Sequence, residues 1–74
     1  MSKLSPLSSK KVLKKLKKAG FTKNNQRGSH LTLKNLSNNR FVTVPIHNKD
    51  IPVGTLYNIV VKQAGLAIDE FNNL

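Results

Sequence analysis

The sequence predicts an α+β domain, built as a helix, a three-stranded antiparallel sheet and a closing helix. Three features carry that reading: a lysine-rich amphipathic run ending at Gly20, alternation of polar and apolar residues from His30, and an apolar stretch bounded by Pro52 and Gly65. With 74 residues the chain makes one domain, 1–74. That is near the lower size limit for an unaided core, so a stability of about 3–5 kcal/mol is expected.

Ser8 or Ser9 can cap a helix through Lys10–Ala19, a stretch without a breaker, and Gly20 suits the left-handed position past its end. At about 100° per residue, Val12, Leu13, Leu16 and Ala19 fall within an arc of about 120°. Lys10, Lys11, Lys14, Lys15, Lys17 and Lys18 share the opposite side. Phe21 then drops an aromatic ring back onto the apolar face. Thr22–Gln26 has weak strand character, while Asn24, Asn25 and Arg27–Gly28 carry turn chemistry, so a short strand followed by a turn is expected. Next, Leu31 and Leu33 point one way and His30, Thr32 and Lys34 the other, the period of a half-buried strand, with Leu36 near its end. Ser37-Asn38-Asn39 makes a reverse turn, and Arg40–Val44 returns as the third strand, ended by Pro45.

After a loop at Ile46–Ile51, Pro52 suits a first helical turn and Val53–Ala64 continues as a helix to Gly65. Ile59-Val60-Val61 favours strands, but a stretch of that length between Pro and Gly is helical in size. Its apolar arc of roughly 200° exceeds what one small core needs, and Tyr57 borders it, facing the core or a partner. A last turn at Ile68–Asn72 would bring Phe71 to the core, although Ala67 is a poor cap. Residues 1–7 are expected to be flexible.

Thirteen Lys and Arg against three Asp and Glu give a formal charge of +10, which attracts a polyanion. Nucleic acid is the leading partner class. A membrane surface is disfavoured because the apolar face of the lysine helix offers Val, Leu and Ala but no Trp or Phe anchor. Six lysines without acidic neighbours repel one another on that helix, which points to phosphate as their partner. The chain has no cysteine, hence no disulfide and no thiolate metal site, and Met1–Leu7 lacks the apolar run of a signal peptide. A cytoplasmic protein, monomeric when free, is expected.

The residues with most chemistry are Arg27-Gly28-Ser29-His30. Gly28 lets a phosphate approach the backbone, Ser29 offers a hydroxyl and an amide, and His30 can move a proton near neutral pH. Alone, the tetrapeptide reads more readily as a surface histidine beside a turn glycine, because such strings arise by chance. His47, the other imidazole, reads first as a residue that shapes its polar loop by hydrogen bonding and second as an accessory acid.

Gly20-Phe21 after a basic helix, Gly28-Ser29-His30, Val44-Pro45, His47, Gly54-Thr55-Leu56 and Lys62-Gln63-Ala64-Gly65 occur in an order and at spacings that resemble the HicA toxins, from about Ser9 to Leu74. The resemblance implies a fold similar to double-stranded RNA-binding domains, ribonuclease activity on messenger RNA, and inhibition by a HicB-type antitoxin. It also implies that the histidine of Gly-Ser-His, His30, is catalytic. Two features depart from the family pattern: Ala67 replaces a Ser or Thr cap, and Leu31-Thr32-Leu33 follows His30 where many relatives carry an aromatic residue or a second histidine.

The residues themselves also bear on mechanism. Nucleases that use two metal ions gather several carboxylates, and this chain has Asp50, Asp69 and Glu70, so no metal and no other cofactor is expected. A metal-free route needs a base for the ribose 2′-hydroxyl and donors for the charge building on phosphate. His30 fits the first role, and Arg27 or a lysine the second. The rival reading is a non-catalytic module that binds duplex RNA by shape.

Overall fold

The computed structural model describes residues 3–74; Met1 and Ser2, which begin the segment expected to be flexible, lie outside the described residues. Helix α1 (Ser9–Lys18) starts at Ser8, whose hydroxyl accepts the Lys11 N–H at 3.2 Å and so satisfies one of the free donors of the first turn. It buries Ser9, Val12 and Leu16, with Leu13 and Ala19 half-buried at the margins of the predicted stripe. Gly20 then takes a φ of +102°, which reverses the chain and lets Phe21 bury its ring.

Strands β1 (Phe21–Arg27), β2 (His30–Asn35) and β3 (Arg40–Pro45) form an antiparallel sheet in the order β1-β2-β3. The first strand is longer than its composition suggests. Asn24 and Asn25, expected in a turn, stay in the strand because Gly28-Ser29 alone makes the reversal, and the extra residue is absorbed as a bulge between the Lys23–Leu33 and Asn25–Thr32 pairs. In β2 the predicted alternation holds: Leu31, Leu33 and Asn35 are buried, while His30 is exposed and Thr32 and Lys34 are partly so. Leu31 and Leu33 lie opposite Val44 and Val42, which places these four side chains on one face.

Helix α2 (Val53–Tyr57), with Pro52 at its N-cap, runs into a π-helical segment over Asn58–Gln63. The expected extent is right, but the expected α-helical continuity over Val53–Ala64 is not. Ile59, Val60 and Val61 are branched at Cβ and crowd the preceding turn of an α-helix, whereas the wider π turn lets the adjacent Ile59 and Val60 both bury. The Ala64 N–H donates to the Ile59 carbonyl at 2.9 Å, and Gly65, at a φ of +73°, ends the segment. Tyr57 is exposed and lies outside the core. Helix α3 (Ile68–Asn72) solves its cap without a side chain at Ala67: the Glu70 carboxylate accepts the Ala67 N–H at 3.1 Å, and Phe71 is buried.

The helices cover one face of the sheet, so Val12, Leu16, Leu31, Leu33, Val42, Val44, Leu56, Ile59, Val60 and Phe71 share a single core. This is the α+β, double-stranded RNA-binding-domain-like architecture. Leu4 and Leu7 pack against that core, and the Ile51 N–H donates to the Leu7 carbonyl at 2.7 Å, so part of the segment before α1 is tethered. On the free edge of β3 the outward backbone groups belong to Phe41, Thr43 and Pro45. The Thr43 N–H donates to Gln63 Oε1 at 2.8 Å, Pro45 has no N–H, and the Arg40 guanidinium donates to the Gln63 carbonyl at 3.4 Å. The π-helical segment thus covers that edge at Thr43.

Ser9 joins the two layers. Its hydroxyl, 5% exposed as a residue, donates to the Pro45 carbonyl at 2.8 Å and accepts the His47 N–H at 3.4 Å. Ser9→Ala would leave both backbone groups short of a partner in a half-buried place, and should lower the unfolding free energy by about 1–2 kcal/mol. Urea denaturation checks this; a midpoint equal to wild type would show that water replaces the hydroxyl at no cost.

Candidate active site

The Gly28-Ser29 turn sets the site. Arg27 and His30 pair across it, and of its two central residues Gly28 alone takes a positive φ, +56°, the pattern of a type II′ hairpin. A Cβ on Gly28 would meet nothing within 4 Å, so this glycine is needed for conformation, and its backbone is open to an approaching group. Two bonds brace the turn. The Ser29 carbonyl accepts the Ile46 N–H at 2.6 Å, and the Gly28 carbonyl accepts Gln26 Nε2 at 3.1 Å.

Residues paired across an antiparallel ladder share a face, so the face that carries His30 can be read from the register. Arg27, His30 and Pro45 form the rung nearest the turn, Asn25, Thr32 and Thr43 the middle one, and Thr22, Lys34 and Phe41 the far one. None of the nine is acidic. This face lies opposite the helices, and among the described residues no cavity opens beside it. It is a broad surface on which a long substrate can lie, carrying an imidazole, a guanidinium and an ammonium.

The lysine stripe lies elsewhere. Since α1 buries Ser9, Val12 and Leu16 against the sheet, Lys10, Lys11, Lys14, Lys17 and Lys18 are exposed on its far side, separated from His30 by both layers. The stripe and the site come nearest at the start of α1, where Ser9 touches Pro45, the partner of His30. Lys15 stands apart from its neighbours. Its ammonium donates to the carbonyls of Phe71, Asn72 and Leu74, each at 3.3 Å, and sits 5.3 Å from the centroid of the Phe71 ring, so it caps the C-terminal end of α3.

His47 is exposed, with Nδ1 3.2 Å from the Lys49 carbonyl, a contact within its own loop. Among the described residues no three His, Cys, Asp or Glu side chains converge, and no helix is long and apolar enough to cross a membrane. Two residues that sequence reasoning did not assign to the site, Lys34 and Phe41, lie on the same face as His30. Lys34 could have been found from its place four residues after His30 in an alternating strand. Phe41 required the register of the second hairpin.

A family model described as the HicA toxin of bacterial toxin–antitoxin matches residues 9–66, from the start of α1 to just beyond Gly65. No curated protein matches the chain.

The distinct surroundings of neighbouring lysines generate a contrast. Lys15→Met should destabilise the fold by about 1 kcal/mol, after discounting for the partial exposure of the ammonium, because three carbonyls at the end of α3 lose a donor. Lys14→Met should change stability by less than about 0.5 kcal/mol. Thermal and urea unfolding of the two variants check this, and equal effects would show that the Lys15 cap contributes nothing.

Proposed function

The chain belongs to the HicA toxin family, and from that premise we propose that it is a metal-independent endoribonuclease that cuts messenger RNA and thereby arrests translation and growth. The observation that carries the reading is His30 on an open, acid-free sheet face with Arg27 directly across the ladder. Cα atoms of such a pair lie about 5 Å apart, close enough for both side chains to reach one phosphodiester.

His30 takes the proton of the ribose 2′-hydroxyl as that oxygen attacks the adjacent phosphorus. The Arg27 guanidinium and the open backbone at Gly28-Ser29 stabilise the charge that builds on the non-bridging oxygens. The bond to the 5′-oxygen breaks, leaving a 2′,3′-cyclic phosphate and, once that oxygen is protonated, a free 5′-hydroxyl. The His47 ring is held by its own loop, which supports a loop-shaping role in preference to that of the leaving-group acid. Lys10, Lys11, Lys14, Lys17 and Lys18 supply long-range attraction and phosphate contacts along the flanking RNA. A HicB-type antitoxin would silence the site by covering the Gly28–His30 edge.

His30→Ala should lower cleavage at least about 100-fold while keeping the fold, since an exposed strand residue adds little packing. Substrate with a 2′-deoxy sugar at the scissile position should resist the wild-type protein. Full activity in a folded His30→Ala variant would overturn the assignment, and RNA binding without any cleavage by wild type would favour a non-catalytic binding module. The charge reading has its own check. If about four phosphates are engaged, the affinity of the His30→Ala variant for single-stranded RNA should fall with a log–log salt slope near −3. Reversing Lys14 and Lys17 to Glu should flatten that slope; an unchanged slope would mark the stripe as solvated surface.

A further inference from the structure

Phe41 is 50% exposed on β3 although it stands in a strand whose alternate residues, Val42 and Val44, are wholly buried. Its ring lies on the open face with His30, at the opposite end of the sheet, and its register partner on the central strand is Lys34, whose ammonium sits over the ring 5.4 Å from the centroid. An exposed aromatic ring paired with a cation, on a sheet face whose other residues include Thr22, Asn25, Thr32 and Thr43, has the makings of a stacking platform for nucleic acid. The nine side chains of this face include three cationic or protonatable ones and no carboxylate, a complement to phosphate and not to an acid-poor protein surface.

We infer that the open sheet face binds single-stranded RNA, with one unpaired base stacked on Phe41 and its phosphate at Lys34, so that the scissile phosphate reaches His30. Four residues of strand and one inter-strand step separate Phe41 from His30 by about 14 Å, which corresponds to about two nucleotides of extended strand. Duplex RNA offers this ring no free base face, because its bases are stacked within the helix. The inference rests on the ribonuclease reading for the role of His30, but the stacking subsite stands or falls on binding alone.

The test uses full-length His30→Ala protein and a fluorescently labelled single-stranded RNA octamer, against a hairpin duplex of matched composition, read by anisotropy. Adding Phe41→Ala should weaken single-strand binding roughly 10-fold or more, and Phe41→Leu, apolar but unable to stack, should weaken it as much. Phe41→Trp should bind as well as the parent or better. Duplex affinity should change less than about twofold across the series. Circular dichroism establishes folding, which the half-exposed position makes easy to retain, and Phe41→Trp tests the inference independently of any truncation.

Equal single-strand affinity for Phe41→Leu and the parent would overturn the inference, as would a matching loss on duplex. Loss of antitoxin binding with RNA affinity unchanged would overturn it too and assign the ring to a protein contact. Cleavage by wild-type protein is measured in parallel. If wild type cuts nothing yet single-strand affinity follows the aromatic series, the ribonuclease reading fails and the subsite is upheld; if His30 is required for cutting and the series is flat, the subsite alone fails.

Discussion

The register of the central strand is the constraint from which both the core and the site follow. Leu31 and Leu33 lie under the helices because they alternate with His30, Thr32 and Lys34, and the strand is held on both sides, by the Gly28-Ser29 turn and by the Ser37–Asn39 turn. A slip of one residue would carry both leucines to water and His30 beneath the helices. The lost burial alone amounts to roughly 3–6 kcal/mol, comparable to the entire expected stability of so small a domain. Asn35 reinforces the register at the far end: its side-chain amide donates to the Ala19 carbonyl at 3.3 Å and its oxygen accepts the Ser37 N–H at 2.9 Å, tying the end of α1 to the second turn.

The two layers divide the positive charge into groups with different reach. Arg27 and Lys34 share the face of His30 and can touch what it touches. The exposed lysines of α1 face away from the sheet, and at physiological salt their field falls off over about 8 Å. In the proposed function they act on a polyanion as it arrives, or on the part of it that wraps past the Ser9–Pro45 junction, where the first turn of the helix meets the site end of the sheet. A chain of uniform lysines in sequence is therefore not uniform in function, and Lys15, turned to the end of α3, is part of the structural framework.

Features governed by local periodicity and by local caps were legible in the sequence. The amphipathic stripe of α1, its Ser8 cap, the reversal at Gly20, the alternation in β2 and the place of Phe71 all depend on residues close to one another along the chain. The candidate site was legible to the same extent, since the outward position of His30 follows from alternation with Leu31 and Leu33. What escaped depends on partners distant in sequence. Nothing near Lys15 reports that the carbonyls of residues 71 to 74 will lie within its reach, nothing near Leu7 reports Ile51, and the bulge at Asn24 emerges only when Arg27 is paired with His30. The π turn is an intermediate case: Ile59-Val60-Val61 signalled discord with an α-helix, but the sheet against which it packs decides how the discord is resolved.

The partly covered edge of β3 also bears on how copies of this sheet can meet. Head-to-tail growth would require the β1 edge of one molecule to pair with the β3 edge of the next, and Gln63, Arg40 and the missing N–H of Pro45 obstruct that edge. The β1 edge carries no such cover among the described residues, so an isologous β1–β1 contact meets fewer obstacles than a head-to-tail one. Edge-to-edge growth of the sheet is thus disfavoured at β3 by the same side chains that hold the π-helical segment in place.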